Sequence, residues 1–157
     1  MVTGLIYLGT VVGATGSAVI GGLLFAFSTA VMPALREQTA SEGMRAMQHV
    51  NRLIQNPLFL LVFVGTALVC LALAIATLFA DQPNGALRAI GALLYVVGAF
   101  GVTAAVNVPL NNNLDRHRDD EAGQAYWAEF LTKWLPWNHL RVVMAVAGTV
   151  LMILSLG

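Results

Sequence analysis

Charge disappears from this chain in four long stretches. Residues 1–35, 53–80 and 89–114 hold no Asp, Glu, Lys or Arg, and a fourth run closes the chain from Val142 to Gly157. Each of the first three exceeds the roughly 20 residues a helix needs to cross a hydrocarbon core of about 30 Å. Lipid offers no water to backbone N–H and C=O groups, so such runs must satisfy themselves as helices. The pattern predicts an all-α fold: a four-transmembrane-helix bundle in one integral membrane domain, spans at about 3–32, 57–80, 86–110 and 136–156.

Two short cytoplasmic amphipathic helices are expected between the spans. SEGMRAMQHVNRLIQNP reads as a helix capped by Ser41 and ended by Asn56-Pro57. Met44, Met47, Gln48, Asn51, Ile54 and Gln55 share one face at i, i+3, i+4, i+7 spacing, and Arg45, His49 and Arg52 share the other. The first face should carry Gln48 and Asn51 into the bundle. DDEAGQAYWAEFLTKW is the second such helix, with acidic residues at its N-terminus where the macrodipole prefers them. Counted from Val142, the last span is too short for a bilayer; a start at Pro136, a favoured first helical position, gives it about 33 Å and draws Asn138 and Arg141 inside. Trp127, Trp134 and Trp137 fall near the membrane surface, where Trp127 reads as part of an interfacial aromatic belt.

Gly9, Gly13, Ser17 and Gly21 repeat at four-residue spacing on the first span, and Gly91 and Gly98 look like the same device on the third. Such stripes admit a second backbone closely, inside the protomer or across a homo-oligomer. FSTAVMPAL (27–35) also echoes VTAAVNVPL (102–110), and VGTAL (64–68) echoes AGTVL (147–151), as an ancestral two-helix unit doubled in parallel would leave them.

Composition agrees with the membrane reading: 58% hydrophobic, 10% charged and zero formal net charge, with mean hydropathy +0.76. The neutral balance argues against a nucleic-acid partner and leaves the lipid bilayer as the main one. No Lys or Arg precedes Arg36, so residues 3–32 read as a retained span rather than a cleaved signal. Arg36, Arg45, Arg52, Arg116, Arg118, Lys133 and Arg141 flank the first and third connections, against Arg88 alone at the second. That bias puts connections one and three in the cytoplasm and both termini outside, in a bacterial-type plasma membrane.

Polar residues within the spans converge on one level. Thr103, Asn107 and Asn111 end the third span, and Pro109 should kink or unwind it there and free a carbonyl. Asn138 and Arg141 lie i, i+3 on one face of the last span, continued by Ala145 and Gly148, while Trp134 precedes Pro136. Gln48 and Asn51 arrive from the amphipathic helix. A hydrogen-bond network that tidies helix ends explains part of this; a polar floor beneath an apolar pocket explains more of the amides. Asn112 and Asn113 read as loop and cap residues. His139 stands one position off the Asn138/Arg141 face, between pocket edge and headgroups.

Other chemistry is thin. Cys70 sits mid-span as a packing residue, and the three histidines lack metal-ligand spacing, so no metal is expected. No serine-histidine-acid set, phosphate loop or dinucleotide fingerprint occurs. No acidic residue lies within a span, against a proton-coupled transporter or a carboxylate-bridged di-iron bundle.

FAFSTAVMPAL, AMQHVNRLIQNPLF, FGVTAAVNVPLNNNL and WLPWNHLR, taken together and in order, resemble the anthrone oxygenase-like family of small four-helix membrane proteins. The resemblance implies oxidation of polycyclic aromatic polyketides, anthrone to anthraquinone, with molecular oxygen and no cofactor. It maps onto Gln48, Asn51, Asn107, Pro109, Asn111, Trp134, Asn138 and Arg141, with His139 at a position expected to vary. On that reading Arg141, Asn107, Asn138 and the Trp134 indole stabilise a substrate anion. His139 or His49 acts as base unless the substrate arrives ionised, and Gln48, Asn51, Thr103 and Asn111 bind substrate. The alternative is a non-catalytic membrane protein that binds a lipophilic metabolite or supports a larger assembly.

Overall fold

In a computed structural model the described residues, 2–79 and 83–157, form helices and no strand. Residues 80–82 of the second connection lie outside the described residues. Four helices are long and apolar enough to cross a bilayer: α1 (Thr3–Arg36), α3 (Pro57–Phe79), α4 (Gly85–Arg116) and α5 (Glu121–Leu154). The chain is an integral membrane protein. Between the first two lies α2 (Ala40–Ile54), which packs on α5 and on the end of α4. The four long helices close a ring in which α1 and α4 each pack against both α3 and α5.

Small residues set the closeness of that ring. Gly9 meets Leu73, Gly13 meets Cys70 and Met152, and Gly21 meets Ala145. The Ser17 hydroxyl donates to the Ala145 carbonyl at 2.9 Å. The stripe on α1 is thus filled by α3 and α5 of the same chain. Gly91 and Gly148 face each other across α4 and α5. A Cβ at either would stand 2.8 or 2.7 Å from the other's carbonyl oxygen.

Three local expectations change. The helix that carries the last span does not begin at Pro136; α5 is continuous, with Pro136 inside it. Trp127, Phe130, Trp134, Asn138, Arg141, Ala145, Gly148 and Met152 form one buried stripe through the proline, and that packing outweighs a missing N–H on the exposed side. Trp127 is not part of an interfacial belt. It is buried and stacked on Phe130 at 5.7 Å, because Gly43 leaves its ring room beside α2. The cap of α2 is Thr39 rather than Ser41: the Thr39 hydroxyl accepts from the Glu42 N–H while the Glu42 carboxylate accepts from the Thr39 N–H, both at 3.3 Å. Ser41 instead donates to Asp119 at 2.7 Å, and Arg45 pairs with the same carboxylate. These bonds tie α2 to the segment before α5.

The expected kink at Pro109 takes another form. Both α1 and α4 widen to i→i+5 bonding just before a proline. The Met32 N–H donates to the Phe27 carbonyl ahead of Pro33, and the Val108 N–H to the Thr103 carbonyl ahead of Pro109. The wider turn removes the clash between the proline ring and the preceding turn, so each helix runs on instead of breaking. Hydroxyls also occupy carbonyls there, Thr29 on Phe25 and Thr103 on Ala99.

Candidate functional site

The widened turn of α4 and the middle of α5 face each other across a polar knot. Arg141, 5% exposed, projects from α5. Its Nη1 donates to the Thr103 hydroxyl at 2.9 Å and its Nη2 to Asn138 Oδ1 at 2.5 Å. Asn138 Nδ2 in turn donates to the Leu24 carbonyl at 2.8 Å and to the Ser28 hydroxyl at 2.7 Å, so this one amide links α5 to α1. The guanidinium lies over the Trp134 ring, 5.2 Å from its centre, and the Trp134 indole N–H donates to Asn111 Oδ1 at 2.9 Å. Asn107 is buried and donates to the Trp134 carbonyl at 3.4 Å.

Every oxygen that Arg141 meets is neutral. The described ion pairs are Arg45–Asp119 and Lys133–Glu129, both at the surface. A buried cation without a counter-charge costs several kcal/mol in desolvation, and bonds to hydroxyl and amide oxygens with a ring contact of about 0.5–2 kcal/mol return only part of it. Arg141 Nε, Asn51 Nδ2 and Asn107 Oδ1 are buried and find no protein partner.

Arg141 and Asn51 also line one cavity of about 340 Å³, within the range of small-molecule sites, about 300–1,000 Å³. Its walls are mostly apolar, with aliphatic side chains such as Leu23, Leu24 and Val50 set among four aromatic ones: Phe27 from α1, Phe59 and Phe63 from α3, and Trp134 from α5. Thr103, Asn111 and Asn112 add polar edges, and Gln55 stands at the margin. Phe59 and Phe63 stack nearly parallel, 11° apart at 5.4 Å.

The structure therefore gathers Asn51, Thr103, Asn111, Trp134 and Arg141 on one cavity, with Asn138 and Asn107 behind them. It does not bring Gln48 or His139 there. Gln48 Nε2 donates to the Leu114 and His117 carbonyls at 2.8 and 3.1 Å, closing the end of α4. His139 is exposed and lines a separate groove with Met32, Pro33 and Arg36. His49 is exposed on the outer face of α2. Among the described residues no imidazole or carboxylate lines the cavity, and no three His, Cys, Asp or Glu side chains gather where they could hold a metal ion.

Sequence reasoning missed Ser28, the Leu24 carbonyl, Asn112 and the phenylalanine walls. Ser28 lies within the FSTAVMPAL echo, which is the one signal that could have found it. The phenylalanines are indistinguishable from lipid-facing ones until the fold is known. Arg88, read only as a loop charge, is buried at the opposite end, where its Nη2 donates to the Ser155 carbonyl at 3.1 Å.

No curated protein and no solved structure matches this chain. A family model described as Anthrone oxygenase matches residues 59–151. The matched segment holds Thr103, Asn107, Asn111, Trp134, Asn138 and Arg141, and covers more than half of the 157 residues. The chain belongs to the anthrone oxygenase family.

Proposed function

We propose that this protein oxidises a planar, hydrophobic polycyclic aromatic substrate of the anthrone type with molecular oxygen inside the membrane. One observation carries the reading: the Arg141 guanidinium is buried beside an apolar cavity lined in part by aromatic rings, with no carboxylate partner. The missing counter-charge is the substrate's own oxyanion. Loss of the methylene proton of an anthrone gives an anion delocalised from ring carbon to oxygen. Arg141 Nε and the donors around it favour that anion over the neutral ketone. Thr103 and Asn138 hold the guanidinium, and Asn138 is itself held by Leu24 and Ser28, so the charge is aimed before substrate arrives.

The chemistry balances without another reductant. The carbanion reduces oxygen and joins it as a hydroperoxide at the methylene carbon. Loss of the remaining C–H proton with cleavage of the O–O bond leaves a second ketone and releases water. Anthrone and one oxygen molecule give anthraquinone and one water. No base lines the cavity, so the first proton leaves at the polar margin by Gln55 and Asn112, or the substrate enters ionised. Apolar oxygen and the tricyclic ligand both partition into lipid. The exposed Arg36, Arg45, Arg52, Arg116, Arg118 and Lys133 support a cytoplasmic position for the cavity end of the bundle.

The same lack of a base favours a second reading, a carrier that binds the aromatic anion without turning it over. Purified protein mixed with anthrone under oxygen separates the two. Quinone absorbance should rise faster than in protein-free detergent; binding at the buffer rate leaves the carrier, and neither binding nor acceleration removes both for this substrate.

A further inference from the structure

Leu60 and Val108 belong to the cavity wall and yet are 42% and 41% exposed, on the outer surface of two membrane-spanning helices. The reason lies in how α3 and α4 part. They pack together where Phe63 meets Tyr95 and Phe100, at ring distances of 6.4 and 5.2 Å, and the Tyr95 hydroxyl donates to the Phe63 carbonyl at 3.1 Å. Beyond Phe63, toward Pro57, packing between α3 and the Thr103–Arg116 part of α4 falls away. On the α1 side of the cavity Leu24 and Phe27 are buried and Leu23 is half-buried. The slot left between α3 and α4 has an apolar lip, Leu60 and Val108, and a polar one, the exposed Gln55 and Asn112.

We propose that this slot is a lateral portal through which a lipophilic ligand passes directly between the bilayer and the cavity. The apolar lip sits on membrane-spanning surface and opens to acyl chains. The polar lip lies at the end of amphipathic α2, the level where headgroups begin. A flat ring system bearing one polar oxygen concentrates at that boundary, as tyrosine and tryptophan side chains do. It meets the slot with its rings at the apolar lip and crosses to Arg141 without entering water. The ligand is taken from the reading above, but the portal can be tested without it.

The test uses the full chain in vesicles of phosphatidylcholine and phosphatidylglycerol containing an apolar aryl diazirine confined to the lipid. After photolysis, labelled residues are read by mass spectrometry. Phe63 and Trp134, both buried, should be labelled through the slot, alongside lipid-facing Leu68 and Val146. The pair Leu60→Phe and Val108→Phe should give a severalfold loss of label at Phe63 and Trp134 while Leu68 and Val146 keep theirs, which also reports an intact fold. Val97→Phe, on the exposed outer face of α4 away from the slot, should leave all four unchanged. Absence of interior label in the wild type, equal interior label in the narrowed pair, or loss of interior label in Val97→Phe overturns the portal. Anthrone added before photolysis should protect the interior. Interior label that anthrone does not displace upholds the portal and counts against the anthrone reading alone.

Discussion

At the scale of single residues, Arg141 and Asn138 share a hydrogen bond and should fail in opposite ways. A buried charge is poor stabiliser, and replacing it with an apolar side chain of similar length is often neutral or favourable. Arg141→Met should therefore keep or raise the unfolding midpoint in mixed detergent micelles while anthrone oxidation drops to the protein-free rate. Arg141→Lys should not restore it, because one ammonium cannot reach Thr103 and Asn138 together while lying over Trp134. Asn138→Ala strands the Leu24 carbonyl and Ser28 and removes an acceptor from Arg141. It should destabilise by about 1–3 kcal/mol. If both variants unfold alike, the knot is architecture and the anion site is wrong. These residues stood out in sequence because amides and a guanidinium in an apolar run demand partners. The partners themselves were not legible: a backbone carbonyl such as that of Leu24 leaves no mark in composition.

At the scale of elements, α2 closes the cavity from below, and its seating rests on one glycine and one surface tie. A Cβ on Gly43 would lie 2.6 Å from the Leu35 carbonyl oxygen and 2.9 Å from the Trp127 ring. The carbonyl cannot yield as a flexible side chain would, so Gly43→Ala should cost about 1–3 kcal/mol and speed hydrogen exchange across α2 before the spans. The Asp119 tie adds a pH dependence. Hydrogen bonds from Arg45 and then Ser41 hold the Asp119 carboxyl below its usual range. A lowered folded pKa means the tie is fully present above the ordinary carboxylate value of about 4 and is lost as pH falls through the folded one. Exchange in α2, corrected for intrinsic rates, should rise on acidification below that value, and Asp119→Asn should reduce the dependence, the remainder coming from the Glu42 carboxylate that caps the same helix and is held below its usual range by Thr39. The amphipathic face of α2 was readable because its period is local. The continuity of α5 was obscured by Pro136, although the buried positions from Trp127 to Met152 keep helical spacing through it. The signal lay in periodicity across the proline, and a rule for helix starts masked it. The widened turns escaped for a different reason: nothing local separates a proline that breaks a helix from one relieved by an extra residue in the preceding turn.

At the scale of the whole molecule, the two halves use one device. Residues 27–31 and 103–107 are widened turns that each end two positions before a proline, while α4 is widened as well over Leu94–Gly101, away from any proline. This common register is better support for a doubled two-helix unit than the short sequence echoes were. It also explains why the site lies at one end: both relaxed turns point their polar groups to the level where α2 and the first half of α5 close the bundle. That end carries the exposed basic residues, whereas Arg88 at the other end is turned inward onto Ser155. The charge asymmetry at the surface is therefore sharper than a count of loop residues suggests, and it argues for the cavity end facing the cytoplasm. In a Cys70→Ala background, His117→Cys should react with a membrane-impermeant maleimide only after right-side-out vesicles are opened, and Ala86→Cys should react while they are intact. The reverse pattern would place the cavity at the outer leaflet. Labelling of both positions from one side would instead break the even number of crossings on which the bundle depends.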